Sequence, residues 1–271
     1  MIKKIYYIVN IVTFLITLFF LIFNNYFNSS AIKLNNIFLL IIIYIFIHFF
    51  KSIKQYLMLI ESDVHFKDFI SLYVRSTFCS IILPYKLGEI FKGYIYGYKI
   101  NNYFKGFLII IVDKFFDAIV LLSILFLHTI KNNNVINNIM WLLLVFTILL
   151  IIIFISFKST YYYLNKHFVL YKNSKNSIFV LTLLEKFNEL FIYVNGIIKN
   201  RVLILLILTV LSWSFEYLFV YILDISDFLT YTNSFFFGTK SSVVSNYIII
   251  STLIFVVFEL MFFIRKCCVK K

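Results

Sequence analysis

Long, uninterrupted apolar runs constrain this chain more than any other feature of its sequence. Residues 5–23, 139–157 and 243–264 are examples, and a helix needs about 17–25 such residues to cross a bilayer. The runs are continuously apolar rather than alternating, which favours helices over a β-barrel. Overall, 62% of the residues are hydrophobic and 14% are charged, whereas soluble domains average about 45–50% apolar and about 25% charged. The sequence therefore predicts an all-α polytopic membrane protein, with residues 1–271 forming a single integral membrane domain.

The apolar runs predict six full transmembrane helices. Their ranges are 5–23, 37–50, 106–128, 139–157, 202–223 and 243–264. Residues 51–68 mix charged and apolar side chains and are predicted to lie at the cytoplasmic surface. Apolar positions repeat with helical spacing near 178–198, which predicts an interfacial helix. The apolar sequence near 69–98 is short and interrupted, and it predicts a re-entrant hairpin with Pro84 and Gly88 at its turn or exit.

The net charge of +13 is explained by membrane topology. With six full spans, 21 of the 25 basic residues fall in loops on one side and three in loops on the other, which predicts that both termini are cytoplasmic. A lone crossing by residues 69–83 would invert every later loop. That segment therefore either enters the membrane and returns to the same side, or it crosses and is followed by a second crossing over residues 86–98. We prefer the first alternative. The sequence lacks the basic groove with interleaved aromatic residues that single-strand binders use, so we expect no nucleic-acid partner.

The stretch from Arg75 to Asp117 concentrates the helix breakers of an otherwise apolar chain. It contains the only proline and four of the six glycines, which predicts a bend in the backbone there. Glu89, Asp113 and Asp117 lie in or beside its apolar sequence, and Glu216 lies near the middle of the predicted span 202–223. Acids inside a membrane are rare and indicate function by default. The alternative is that Glu89, Lys92 and Lys99 are ordinary interfacial charges and that Asp113-Lys114 marks the cytoplasmic end of the span. For Glu216, the alternative is a neutral acid that is hydrogen-bonded within the bundle.

The order of these residues resembles a known membrane family. From the N-terminus it reads Arg75, Leu83-Pro84, Gly88-Glu89, Lys92, Asp113-Lys114, Asp117 and Trp213-x-x-Glu216. This order is similar to the membrane region of lysylphosphatidylglycerol synthases over about residues 60–225. The late Pro-Gly-Gly-x-Gly-x-x-Glu loop of that family is replaced here by SFFFGTKSSVVSNY. The resemblance implies a flippase-like domain, in a stand-alone member without the aminoacyl-transferase domain.

The resemblance also implies a set of substrate-binding residues. These are Arg75, Pro84, Gly88, Glu89, Lys92, Asp113, Asp117, Trp213 and Glu216. Arginine and lysine side chains bind phosphate headgroups, and acids in the same cavity would neutralise those cations when no substrate is bound. For Trp213, a role in packing alone is the open alternative.

These features predict a lipid flippase or lipid-headgroup transporter of the bacterial or archaeal cytoplasmic membrane. Its expected partner is a membrane lipid, either an anionic phospholipid or a polyprenyl-phosphate-linked glycan. Two alternatives stay open: a membrane enzyme or accessory subunit acting on lipid-linked sugars, and a structural partner of glycan-assembly proteins. The four histidines are scattered, and no nucleotide-binding or hydrolase motif appears. We therefore expect no metal, no cofactor and no catalytic residue.

Overall fold

The structure is a computed structural model that describes residues 15, 34–62, 64–82, 87–132, 138–171, 175–222, 232, 254 and 257–258. These residues form six long helices and contain no strand. The helices are α1 (Leu34–Leu59), α2 (Phe66–Ile82), α3 (Leu87–Ile100), α4 (Tyr103–Asn132), α5 (Asn138–Tyr171) and α6 (Lys175–Ile222), and a 3₁₀ turn (Ile60–Ser62) follows α1. Except for residues 15, 254 and 257–258, the predicted spans 5–23 and 243–264 lie outside the described residues.

Three of the described helices are long and apolar enough to cross a membrane. The qualifying segments are Phe38–Leu59, Asn138–Val169 and Ser177–Ile222. The predicted span 106–128 lies within α4, which has 30 residues. The all-helical, multi-pass membrane fold predicted from the sequence is thereby confirmed.

Two helices extend further than the sequence analysis predicted. The interfacial helix near 178–198 and the span 202–223 are one continuous helix, α6, of 48 residues. No proline interrupts this segment, and a single internal glycine costs only about 1 kcal/mol in a helix. Likewise, α1 continues past Phe50 to Leu59, because residues 51–59 contain neither glycine nor proline. Lys51 and Lys54 therefore lie on a membrane helix rather than in a separate surface segment.

The chain divides into two compact units, which are described separately. The first comprises Met1–Phe107 and Val210–Lys271, and the second comprises Leu108–Thr209. In the first unit, buried residues of α1 at helical spacing pack with Phe219 of α6 in one apolar cluster; these α1 residues are Leu40, Ile43, Tyr44 and Ile47. In the second unit, the Phe191 ring of α6 packs against Phe154 and Phe157 of α5, with ring centroids 4.9 Å apart in both pairs.

Helices α2 and α3 pack against each other and match the predicted hairpin near 69–98. The fully buried Phe69 ring lies 5.8 Å from Tyr96 of α3 and 5.4 Å from Tyr56 of α1, measured between ring centroids. Residues 83–86, including Pro84, lie outside the described residues. The depth of this hairpin in the bilayer stays a prediction.

Glycines bring α3 and the start of α4 into backbone contact. A Cβ atom on Gly106 would lie 2.3 Å from the Gly97 nitrogen and 2.4 Å from the Gly93 oxygen. These glycines occupy regular helix, so they provide close approach rather than the predicted bend. The chain turns instead at Asn101, whose φ of 58° is left-handed, and at Asn102, whose Oδ1 accepts the Lys105 backbone N–H at 3.1 Å as an N-cap.

Candidate functional site

A buried ion pair joins α1 to α6 within the first unit. Nζ of Lys51 lies 2.8 Å from Oε2 of Glu216, and the two side chains are 21% and 2% exposed. The same Nζ lies 5.5 Å from the ring centroid of Trp213, one helical turn before Glu216. Charge attraction and cation–π attraction both strengthen away from water. Lys51 is therefore held by two side chains of α6.

The contacts continue from α1 to α2 through a histidine and a tyrosine. His48 lies one turn before Lys51 on α1, and its Nδ1 is 3.0 Å from the Tyr73 hydroxyl. The imidazole also packs on Tyr44, with ring centroids 4.4 Å apart. Tyr73 itself is buried. His48 therefore links the Lys51 region to the interior face of α2.

A second buried lysine joins α2 to α3. Nζ of Lys92 donates a hydrogen bond to Oγ1 of Thr77 at 3.1 Å and lies 4.5 Å from the Tyr73 ring centroid. Only 4% of Lys92 is exposed. Because Tyr73 contacts both His48 and Lys92, a connected set of polar and aromatic side chains runs through α6, α1, α2 and α3. We call it the polar network: His48, Lys51, Tyr73, Thr77, Lys92, Trp213 and Glu216.

The lysines beside this network outnumber the described acids. Lys54, also on α1, is fully buried, and the neighbouring Gln55 accepts a 2.8 Å hydrogen bond from the Tyr96 hydroxyl. Among the described side chains of the first unit, Lys51, Lys54 and Lys92 are at least largely buried, whereas the acids of comparable burial are Glu216 and the half-buried Glu89. Among the described residues of this unit, these three lysines are therefore removed from solvent, fully or in part.

Three of the predicted site residues, Lys92, Trp213 and Glu216, belong to the polar network. Gly88 and Glu89 lie in the first turn of α3, one turn before Lys92. The backbone of Arg75 lies in α2 between Tyr73 and Thr77, and its side chain is outside the described part of the structure, as is Pro84.

The predicted residues Asp113 and Asp117 belong to the second unit. Both lie on α4; Asp113 is 2% exposed, and Asp117 forms a 3.6 Å ion pair with Lys114. The two residues lie one turn apart on one face of α4.

An exposed ion pair lies away from the buried network. Nζ of Lys99 on α3 is 2.9 Å from Oδ2 of Asp68 on α2. The hydrogen bond and the charge of Lys99 hold the pKa of Asp68 below its usual value. Exposed pairs of this kind contribute little to stability. Lys99 is therefore a suitable exposed control for the buried Lys92, which lies two turns earlier on the same helix.

Sequence reasoning missed several members of this region. His48, Lys51, Lys54, Gln55, Tyr73 and Thr77 were not among the predicted site residues. His48 was set aside because the histidines are scattered, and Lys51 because the predicted span ended at Phe50. A signal was present, since His48, Lys51, Ser52 and Gln55 follow i, i+3, i+4, i+7 spacing and form a polar stripe along a helix.

Comparison with known families identifies the family of the chain. The profile of the family described as "Lysylphosphatidylglycerol synthase TM region" matches residues 8–258, which include the whole polar network. The chain belongs to this family. The family is a membrane domain associated with lipid handling. No curated protein and no solved structure matches the chain.

Proposed function

We propose that this family member moves a lipid with an anionic, phosphate-bearing headgroup across the membrane. The observation that carries this proposal is the set of partly or fully buried lysines among the described residues of the first unit, Lys51, Lys54 and Lys92. Charged side chains are costly in a bilayer and are retained where they contact substrates, ions or each other. A phosphate group is the natural counter-charge for such a cluster. The two lipid classes that fit are an anionic phospholipid and a polyprenyl-phosphate-linked glycan.

In this proposal, the acids keep the cluster paired between transport events. Glu216 holds Lys51 through the 2.8 Å ion pair, so the cation is compensated before a headgroup arrives. Glu89, one turn before Lys92, has the same role at the other end of the network. Arg75, whose backbone lies in α2, stays a proposed substrate contact, and Asp113 and Asp117 of the second unit are proposed as substrate contacts by themselves. The protein resides in the cell membrane with both termini cytoplasmic, as the distribution of basic residues predicts.

Reconstitution tests the proposal directly. Purified protein in proteoliposomes should accelerate the movement of a fluorescently labelled phosphatidylglycerol between leaflets, measured by the loss of fluorescence when a membrane-impermeant quencher is added outside. Glu216→Gln should slow this movement at least about tenfold, because Lys51 loses its charged partner. Glu189→Gln is the matched control, since Glu189 is exposed on the same helix.

Two results would contradict the proposal. One is that vesicles with protein scramble the labelled lipid no faster than protein-free vesicles. The other is that Glu216→Gln and Glu189→Gln retain the same rate as the unmodified protein. The second result would leave lipid movement in place and remove the polar network from its pathway.

A further inference from the structure

Two buried nitrogen atoms in the polar network lack a hydrogen-bond partner among the residues that the structure describes. They are Nε1 of Trp213 and Nε2 of His48. Trp213 is 5% exposed. Native proteins keep few buried polar atoms unsatisfied, and each such atom calls for a reason. Both atoms belong to side chains next to Lys51, since His48 precedes it by one turn on α1 and the Trp213 ring faces its Nζ.

The chemistry of these atoms indicates what they would bind. Indole Nε1–H donates hydrogen bonds and accepts none. When the Tyr73 hydroxyl donates to Nδ1 of His48 across 3.0 Å, the ring proton lies on Nε2, which is then a second donor. The ammonium group of Lys51 has three donors and gives one to Glu216. A cation flanked by two neutral N–H donors is suited to an oxyanion with several acceptor oxygens.

We propose that His48, Lys51 and Trp213 bind the phosphate oxygens of the lipid headgroup. This inference rests on the proposed function and assigns its phosphate contact to particular atoms: Nε2 of His48, Nζ of Lys51 and Nε1 of Trp213. Glu216 is a positioning residue that keeps Lys51 beside the Trp213 ring. The Lys51 side chain is 21% exposed, whereas that of Glu216 is 2% exposed.

The substitution Trp213→Phe isolates the hydrogen bond from the packing. Phenylalanine keeps an aromatic ring for Lys51 and removes only the indole N–H and the second ring. Because Nε1–H bonds no described residue, loss of this donor should not destabilise the unliganded protein, and the smaller ring should lower the melting temperature only through the cavity that it leaves. Affinity for a phosphate-bearing lipid should fall about tenfold, as expected for one hydrogen bond to a charged group. Trp141→Phe is the matched control, since Trp141 is exposed on α5.

Binding is measured on detergent-solubilised full-length protein with three probes: dihexanoyl phosphatidic acid, uncharged dihexanoylglycerol and inorganic phosphate. We expect phosphatidic acid to bind and dihexanoylglycerol to bind at least about tenfold more weakly. Inorganic phosphate binding as well as phosphatidic acid would identify a free-phosphate site and overturn the lipid assignment. His48→Phe supplies a second variant if Trp213→Phe fails to fold. It should weaken phosphatidic acid binding by a similar factor, whereas His167→Phe on α5 should not.

The results separate this inference from the proposed function. Equal phosphatidic acid affinity in Trp213→Phe and the unmodified protein would overturn the inference, as would an equal loss of phosphatidic acid and dihexanoylglycerol binding, which would show a structural role. Either result leaves the proposed function standing if Glu216→Gln slows lipid movement. Absence of phosphatidic acid binding by the unmodified protein would overturn both. Weakened phosphatidic acid binding in both variants, with dihexanoylglycerol binding unchanged, confirms the assignment.

Discussion

Replacing Lys51 and Glu216 one at a time, and then together, measures how much the ion pair between them contributes to the stability of the protein. At the observed 2.8 Å separation, two unit charges attract by about 6 kcal/mol at an effective dielectric constant of about 20. Desolvation offsets much of this attraction in the intact pair. The loss of one partner is nevertheless severe, because the other charge is left buried, typically at a cost of about 3–5 kcal/mol.

The loss of Lys51 and the loss of Glu216 should destabilise the protein by different amounts, because the two side chains differ in exposure. Lys51→Met strands a carboxylate that is only 2% exposed, so we expect the full cost of about 3–5 kcal/mol. Glu216→Leu leaves a lysine that is 21% exposed, whose long stem can carry its ammonium towards water. We expect a smaller cost of about 1–2 kcal/mol. The double variant should cost less than Lys51→Met alone, which gives a coupling energy of about 2–3 kcal/mol.

The assay is reversible unfolding in mixed lipid–detergent micelles by increasing SDS, followed by far-ultraviolet circular dichroism. The Lys99–Asp68 pair serves as a control, because both of its side chains are substantially exposed and exposed ion pairs contribute little to stability. If the effects of Lys51→Met and Glu216→Leu are additive within about 0.5 kcal/mol, the pair does not couple the two helices and the reasoning is refuted.

Four further changes test local features of the fold. Gly106→Ala should destabilise the protein by more than about 1–3 kcal/mol in SDS titration, because the new methyl group meets the α3 backbone; stability equal to that of the unmodified protein would contradict this close contact. Asn102→Ala removes the N-cap of α4 and should cost about 1 kcal/mol in the same titration. Lys99→Ala should raise the pKa of Asp68 towards its usual value, which carboxyl NMR between about pH 2 and pH 6 would show. The ion pair with Lys99 stabilises the fold above the unfolded-state pKa of Asp68. This contribution is lost as the pH falls through the lowered folded-state pKa. In a cysteine-free background, Tyr98→Cys should react with a membrane-impermeant thiol reagent from the cytoplasmic side, and reaction from outside would contradict the re-entrant hairpin.

The sequence was informative where a charged residue lies within an apolar stretch. Glu216 is predicted as a site residue because acids are rare inside membrane helices, and Lys92 through the residue order that resembles the family; both side chains are buried. Trp213 was found through its fixed spacing from Glu216. The rarity of charges inside membrane helices did not lead to Lys51 and Lys54. Charges near the end of an apolar run are as compatible with a surface segment as with a continuing helix.

Pairing between distant helices could not be predicted from local patterns. Lys51 and Glu216 are 165 residues apart, and helical periodicity gives the face of each helix without its neighbour. Glycine carries a similar ambiguity, because the same residue permits a bend or a close helix contact. At Gly93, Gly97 and Gly106 the structure has the close contact, and the left-handed turn falls on Asn101 instead.

The central claim is that the buried lysines of the first unit bind a phosphate-bearing headgroup. A comparison of Lys92→Met with Lys99→Met tests this claim most directly. Both lysines lie on α3, but Lys92 is 4% exposed and belongs to the polar network, whereas the Lys99 side chain is 40% exposed. In proteoliposomes, the claim predicts that Lys92→Met slows the movement of labelled phosphatidylglycerol at least about tenfold and that Lys99→Met keeps the rate of the unmodified protein. Equal rates for all three proteins would contradict it.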